Sequence, residues 1–84
     1  MEYVYILTCA DGTLYTGWTN DLKKRLAAHN AGTGGKYTRS RLPVTLSYFE
    51  EYEDRTEAQK REYFIKHHLT REEKLALIAE KRGP

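Results

Sequence analysis

The sequence predicts an α+β domain in which a three-stranded antiparallel sheet is flanked by three helices. Three observations carry this expectation. Residues Tyr3 to Trp18 hold two β-branched and aromatic runs, YVYILT and TLYTGW, on either side of the turn signal Ala10-Asp11-Gly12. Val44 to Tyr52 alternates well enough to add a third strand. Apolar residues then recur at helical spacing in residues 22–29 and 58–69, and Thr70-Arg71-Glu72-Glu73 is a capping box opening a last helix. The 84 residues make one domain, 1–84, large enough for a single compact core.

The loop length of the first hairpin decides which side chains share a face. A two-residue Asp-Gly turn would pair Tyr5 with Trp18 and separate Tyr5 from Tyr15. A three-residue Ala-Asp-Gly loop instead pairs Cys9 with Thr13, so Leu7 faces Tyr15 and Tyr5 faces Gly17. The second register is preferred, because Gly12 then sits where the loop needs positive φ. Tyr5 and Tyr15 become diagonal neighbours on one face, and Gly17 leaves space opposite the Tyr5 ring.

Thr19 or Asn20 can cap the first helix, with Asp21 favouring its positive end. Leu22, Arg25, Leu26 and His29 form one stripe on it. The leucines are ordinary core residues, whereas an Arg and a His sharing the stripe are unusual. Arg25 can be a side chain snorkelling at the helix edge or a functional group. His29 can be a helix C-terminal residue favoured by the dipole or a functional group. Ala31 to Pro43 reads as a loop, broken by Gly32, Gly34 and Gly35. Lys36, Arg39 and Arg41 cluster there around Tyr37, with no acidic residue among them. Such a loop can follow a phosphate backbone and stack on a base, and the same composition also suits a solvated loop. Its glycines match no P-loop spacing.

Asp54 or Thr56 opens the second helix, where Ala58, Glu62, Ile65 and Leu69 share a stripe. A carboxylate among apolar neighbours must be paired, hydrogen-bonded or on a metal. A salt bridge to Arg25 or a lysine and a metal ion account for Glu62 equally well. Adjacent His67 and His68 cannot both face one ion from a helix, which argues against a zinc site. In the last helix Leu75 and Ile78 face inward, and Gly83-Pro84 stops it.

Charged residues make up 31% of the chain and the net charge is +2, which suits a soluble globular protein. No apolar run approaches 18 residues and no leader opens the chain, so no membrane association is expected. The single Cys9 suits a reducing cytoplasm.

Tyr3-Val4-Tyr5, followed about ten residues on by Tyr15-Thr16-Gly17, resembles the paired signature of the GIY-YIG nuclease family. Asp21 to Leu26 resembles the helix after that signature in the nuclease domain of the bacterial excinuclease C subunit, with Arg25 at the family's catalytic arginine. His29-Asn30 and the Gly-Gly…Thr…Pro pattern through residues 34–43 are similar to the catalytic subunits of endonucleases that cut branched DNA. Ala58 to Tyr63 resembles the helix that carries their metal glutamate. The resemblance runs from about Tyr3 to Leu69, and in size the chain is similar to short stand-alone bacterial GIY-YIG proteins. Tyr3 replaces the first Gly, Thr16 the central Ile, and Trp18 stands where excinuclease-type members carry a Lys. That last change removes a cation that could help a tyrosine act as a base.

The resemblance implies a metal-dependent nuclease hydrolysing phosphodiester bonds. DNA ranks ahead of RNA, and branched or damaged DNA in repair or recombination is the implied setting. Tyr5, Tyr15, Arg25, His29 and Glu62 are the implied catalytic set, and Glu62 the implied ligand of one Mg²⁺ or Mn²⁺. Lys36, Tyr37, Arg39 and Arg41 are expected to hold the nucleic acid, and a protein partner to supply specificity. Two rivals follow from the same residues: a non-catalytic nucleic-acid-binding module of this fold, and a protein-interaction domain using exposed aromatics.

Overall fold

The hairpin forms in the three-residue-loop register. Strand β1 (Glu2–Thr8) pairs antiparallel with β2 (Leu14–Thr19), placing Leu7 opposite Tyr15 and Tyr5 opposite Gly17. The Cys9 N–H donates to the Thr13 carbonyl at 2.9 Å, and Gly12 adopts φ +84°, the left-handed conformation this loop needs. Strand β3 (Thr45–Tyr52) pairs antiparallel with the other side of β1, so the order is β2-β1-β3 and β2 is an edge. The structure, a computed structural model, describes residues 1–82; the Gly83-Pro84 stop lies outside the described residues.

Among the described residues four helices surround the sheet: α1 (Leu22–Asn30), α2 (Lys36–Arg39), α3 (Arg55–His68) and α4 (Arg71–Arg82). The three expected helices form as α1, α3 and α4, and α2 adds a single turn inside the segment read as loop. Four residues are too few to show helical periodicity, so only tertiary context reveals such a turn.

Central strand β1 is covered on both faces. Val4 and Ile6 join Tyr48, Ala58, Ile65 and Ile78 in one apolar cluster, which α3 and α4 complete. Tyr5 and Leu7 join Cys9 and Val44 in the other, against which Leu22 and Leu26 of α1 pack. Burying both faces of a short sheet in this way is what lets so small a chain hold a core.

Local chemistry fixes the helix starts. Asp21 itself caps α1, accepting from the Lys24 N–H at 3.0 Å, while Thr19 Oγ1 accepts from the Asp21 N–H at 3.1 Å. The cap therefore lies one residue after Asn20 and two after Thr19. Asp54 caps α3, and Thr70 and Glu73 close the capping box at 3.2 and 2.9 Å. Arg61 clamps α3 to the sheet by donating from Nε and Nη2 to Glu50 at 2.9 and 3.0 Å. The same carboxylate accepts from the hydroxyls of Tyr48 and Tyr52.

Candidate active site

The site lies at the β2 edge, where side chains from helices on opposite faces of the sheet meet. Its centre is Tyr5, and Gly17 makes its placement possible. A Cβ on Gly17 would lie 2.6 Å from the Tyr5 hydroxyl and 2.7 Å from its Cζ, so only glycine lets this ring cross β2. Gly34 does the same for His29: a Cβ there would come within 2.6 Å of the His29 backbone nitrogen and Cα. That glycine packs the chain after α1 onto the histidine, besides breaking the helix.

His29 is fully buried between two hydroxyls. Its Nε2 lies 3.1 Å from the Tyr5 hydroxyl and its Nδ1 2.7 Å from Thr38 Oγ1, which is 3.3 Å from the Gly35 carbonyl. One proton arrangement gives every hydroxyl and ring proton an acceptor: Tyr5 O–H donates to Nε2, Nδ1–H to Thr38, and Thr38 O–H to Gly35. Electrostatics agree with it. Burial, with Tyr15 adding to it, pushes the Tyr5 phenol well above its ordinary range, so it keeps its proton. Burial and then the Arg25 charge push the His29 imidazolium down, so the ring is neutral.

Tyr15 stands beside this pair. Its ring centre is 6.4 Å from that of Tyr5, 5.3 Å from that of His29 and 5.9 Å from that of Tyr37, which stacks on it. It is half-buried, and its hydroxyl has no hydrogen-bond partner among the described residues. Arg25 is exposed on α1 beside a groove of about 360 Å³ that Thr19, Lys24 and Gly34 also line. Its charge favours the ionised form of Tyr5, and that of Glu62 opposes it, so both reach the same hydroxyl.

Glu62 keeps 18% of its side chain exposed although its stripe neighbours Ala58 and Ile65 are fully buried. Its ion-pair partner is a lysine and not Arg25: Lys66 Nζ lies 3.9 Å from Glu62 Oε2. That ammonium is also 5.9 Å from the centre of the Tyr15 ring. Sequence reasoning missed Lys66, although the i, i+4 spacing from Glu62 was its signal. Thr38 was missed too, since nothing local marks it as a histidine partner.

The basic loop is divided. Lys36 and Arg39 are exposed and carry no ion pair among the described residues. Arg41 is engaged: Nε donates to Asp11 at 3.1 Å, Nη1 to the Tyr37 carbonyl at 2.8 Å, and its guanidinium lies 3.9 Å over the Tyr37 ring. Arg41, expected with Lys36 and Arg39 to hold nucleic acid, is thus already ion-paired, and the acidic partner absent from its own segment comes from the hairpin turn. Asn30 fixes the far end of the loop, accepting from the Val44 N–H at 2.8 Å and donating to its carbonyl at 3.0 Å.

Glu62 suits a hard divalent cation. Its carboxylate makes no hydrogen bond among the described residues, which leaves its oxygens free for a metal. No cluster of three or more potential ligand side chains occurs among the described residues. A lone carboxylate fits Mg²⁺ or Mn²⁺, which take one or two carboxylates and complete their shell with water and phosphate oxygens; it does not fit an all-protein cage.

Residues 1–76 match the family model of the GIY-YIG catalytic domain. The chain is 63% identical over 81 residues to the UPF0213 protein CPE1444 of Clostridium perfringens, covering 96% of this chain and 86% of that one. It is 58% identical over 77 residues to the UPF0213 protein SpyM50708 of Streptococcus pyogenes, covering 92% and 84%. Its structure resembles the solution structure of the UPF0213 protein BH0048 of Bacillus halodurans, with a TM-score of 0.63 and 45% identity over 100% of this chain and 89% of that one.

Proposed function

The chain belongs to the GIY-YIG family, and on that premise we propose that it is a nuclease hydrolysing DNA phosphodiester bonds with one Mg²⁺ or Mn²⁺ at Glu62. The convergence at one sheet edge supports this reading: Tyr5 and Tyr15 share a face, and the charges of Arg25 and Glu62 both act on the Tyr5 hydroxyl. A divalent ion held by Glu62 supplies Lewis-acid stabilisation of phosphate oxygens. The chain's own residues do the rest.

Tyr5 keeps its proton and donates its O–H in a hydrogen bond to His29 Nε2, so the phenolic oxygen is left to accept a hydrogen bond and orient the attacking water. His29 is a positioning residue: bonded through both ring nitrogens, it fixes the Tyr5 hydroxyl. Tyr15, half-buried and with its hydroxyl open, would take the water's proton as the phenolate, after passing its own proton to solvent. Arg25 points its fixed fork of donors at the groove and stabilises charge building on the phosphate. Lys36, Arg39 and Tyr37 line the approach and hold the flanking backbone, with Arg41 bracing the Tyr37 ring. Branched or damaged DNA in repair or recombination, a cytoplasmic setting and a partner supplying specificity belong to the same proposal.

The test is incubation with linear and branched DNA, and with RNA, with and without Mg²⁺ or Mn²⁺, using wild type and Glu62→Gln. Wild type cleaves DNA only with the ion. The amide keeps the shape but is a poor ligand for a hard cation. Glu62→Gln stays folded, because the Lys66 head remains half in solvent, and it binds DNA without cutting. Wild-type binding without cleavage under every ion would replace the nuclease with the non-catalytic binding module.

A further inference from the structure

We propose that Lys66 is the resident counter-ion of the Glu62 site. Its ammonium neutralises the carboxylate until a divalent ion takes it, and is then released beside Tyr15 to hold the incoming phosphate. This rests on the metal reading of Glu62.

The geometry gives Lys66 two neighbours and ties it firmly to neither. Its Nζ is 3.9 Å from Glu62 Oε2, within ion-pair range but beyond a hydrogen bond. It is 5.9 Å from the Tyr15 ring centre, within reach of the ring's negative face. Glu62 is largely enclosed whereas the lysine side chain is 47% exposed, so the ammonium is the member of the pair that can move. A lysine head on a four-carbon stem reorients without disturbing its helix.

The neighbouring strand offers no substitute. Trp18 of β2 is partly buried against the α3-side cluster, and Arg25 approaches the tyrosines from α1. The cation on this side of the tyrosine pair therefore comes from α3. Two cations that compete for one carboxylate are linked: removing the resident one tightens binding of the other. An ammonium freed in this way stands at the edge of a phosphate site, where it adds one contact only when the ion is bound.

Lys66→Met keeps the stem and removes the charge, and Lys66→Arg restores the charge. Free Mn²⁺ is measured by electron paramagnetic resonance in titrations of the full chain without nucleic acid. Lys66→Met should bind Mn²⁺ roughly two- to fivefold more tightly than wild type, the range expected for losing a part-exposed ion pair. Lys66→Arg should bind like wild type. Binding to a fluorescent DNA duplex is then followed by stopped flow, before cleavage, across a salt series. With Mn²⁺, Lys66→Met should lose about one unit of salt slope relative to wild type; without Mn²⁺, the two slopes should coincide.

A merely structural lysine would shift thermal stability and leave Mn²⁺ affinity unchanged, and equal affinities for wild type and Lys66→Met would overturn the proposal while sparing the metal site. A slope difference that is the same with and without Mn²⁺ would overturn the release of Lys66 to phosphate. Failure of wild type to bind Mn²⁺ any better than Glu62→Gln would remove the metal reading, and this inference with it.

Discussion

A methyl group added at Gly17 would be driven into the Tyr5 ring. The Cβ of Gly17→Ala would stand 2.6 Å from the Tyr5 hydroxyl, 2.7 Å from Cζ and 3.2 Å from Cε2 of Tyr15. Comfortable carbon contacts are about 3.5–4.0 Å. The ring has little freedom to step aside, since it is 2% exposed and its hydroxyl is bonded to His29. Overpacking a filled core costs about 1–3 kcal/mol. Moving the hydroxyl away leaves a buried imidazole nitrogen unpaired, for about 1–3 kcal/mol more. Against these, alanine stiffens the unfolded chain by about 0.4–1 kcal/mol. The net loss is roughly 1–6 kcal/mol, and its centre of about 3 kcal/mol lowers Tm by roughly 12–24 °C for a domain of this size.

Urea unfolding of Gly17→Ala, Tyr5→Leu and the double variant measures the coupling. Leucine lacks the Tyr5 atoms that meet the new methyl, leaving only the 3.2 Å contact with Tyr15, so Gly17→Ala should cost much less in the Tyr5→Leu background. The interaction energy should then exceed about 1 kcal/mol. Gly35→Ala is the control: its Cβ would have no neighbour nearer than 3.7 Å, an ordinary contact, and stability should change by less than about 1 kcal/mol. Wild-type stability for Gly17→Ala, or the same loss in both backgrounds, would refute the threading of Tyr5 across β2.

The other expectations concern charge and burial. Removing Lys36 and Arg39 together should reduce the salt slope of DNA binding by roughly one unit per lost phosphate contact, whereas Arg41→Ala should mainly lower the melting temperature, by releasing Asp11 and Tyr37; equal slopes for the double variant and wild type would mean a merely solvated loop. His29 is depressed in the fold by burial and the Arg25 charge, so its contribution is complete above its unfolded value, near 6.5, and is lost as pH falls through the folded value. His29→Gln should abolish that upper part of the acid limb in urea titrations at stepped pH. Burial works to raise Glu50, but the bonds from Arg61, Tyr48 and Tyr52 overcome it and hold its carboxyl below the usual range, so a further limb appears as pH falls below about 4.5 and should disappear in Glu50→Gln. Thr16 Oγ1 is buried with no hydrogen-bond partner. Thr16→Val removes that hydroxyl at constant shape and should raise stability by about 1–2 kcal/mol on calorimetry; no gain would mean the hydroxyl is satisfied in solution.

What the sequence made legible was local in its physics. The hairpin register followed from one glycine at the position needing positive φ, and the Thr70–Glu73 box from a four-residue pattern. The stripes on α1 and α3 followed from periodicity, with Ala58 and Ile65 buried and Leu22 and Leu26 partly buried against the core. The misses were interactions between segments with nothing local to announce them. Arg61 on α3 and Glu50 on β3 are eleven residues apart, and each reads alone as a surface charge. Arg41 looked unpaired because Asp11 is thirty residues away. The turn α2 depends on Thr38 being drawn inward by His29, a partner that only the folded chain supplies.

The same division explains the site. Register alone put Tyr5 and Tyr15 on one face, and family resemblance alone gave Arg25 and Glu62 their roles. Neither could place the residues of α1 and α3 beside each other, because the two helices pack on opposite faces of the sheet. They meet because β2 is an edge strand and Gly17 carries no side chain on the face it shares with Tyr5. The Tyr5 ring therefore lies over Gly17 on the α1 side, and Lys66 of α3 stands near its neighbour Tyr15 at the edge. A larger residue at position 17 would displace the Tyr5 ring and with it the hydroxyl bonded to His29. The glycine of the second signature element thus seats Tyr5, a role that strand propensity, which disfavours glycine in strands, could not have revealed.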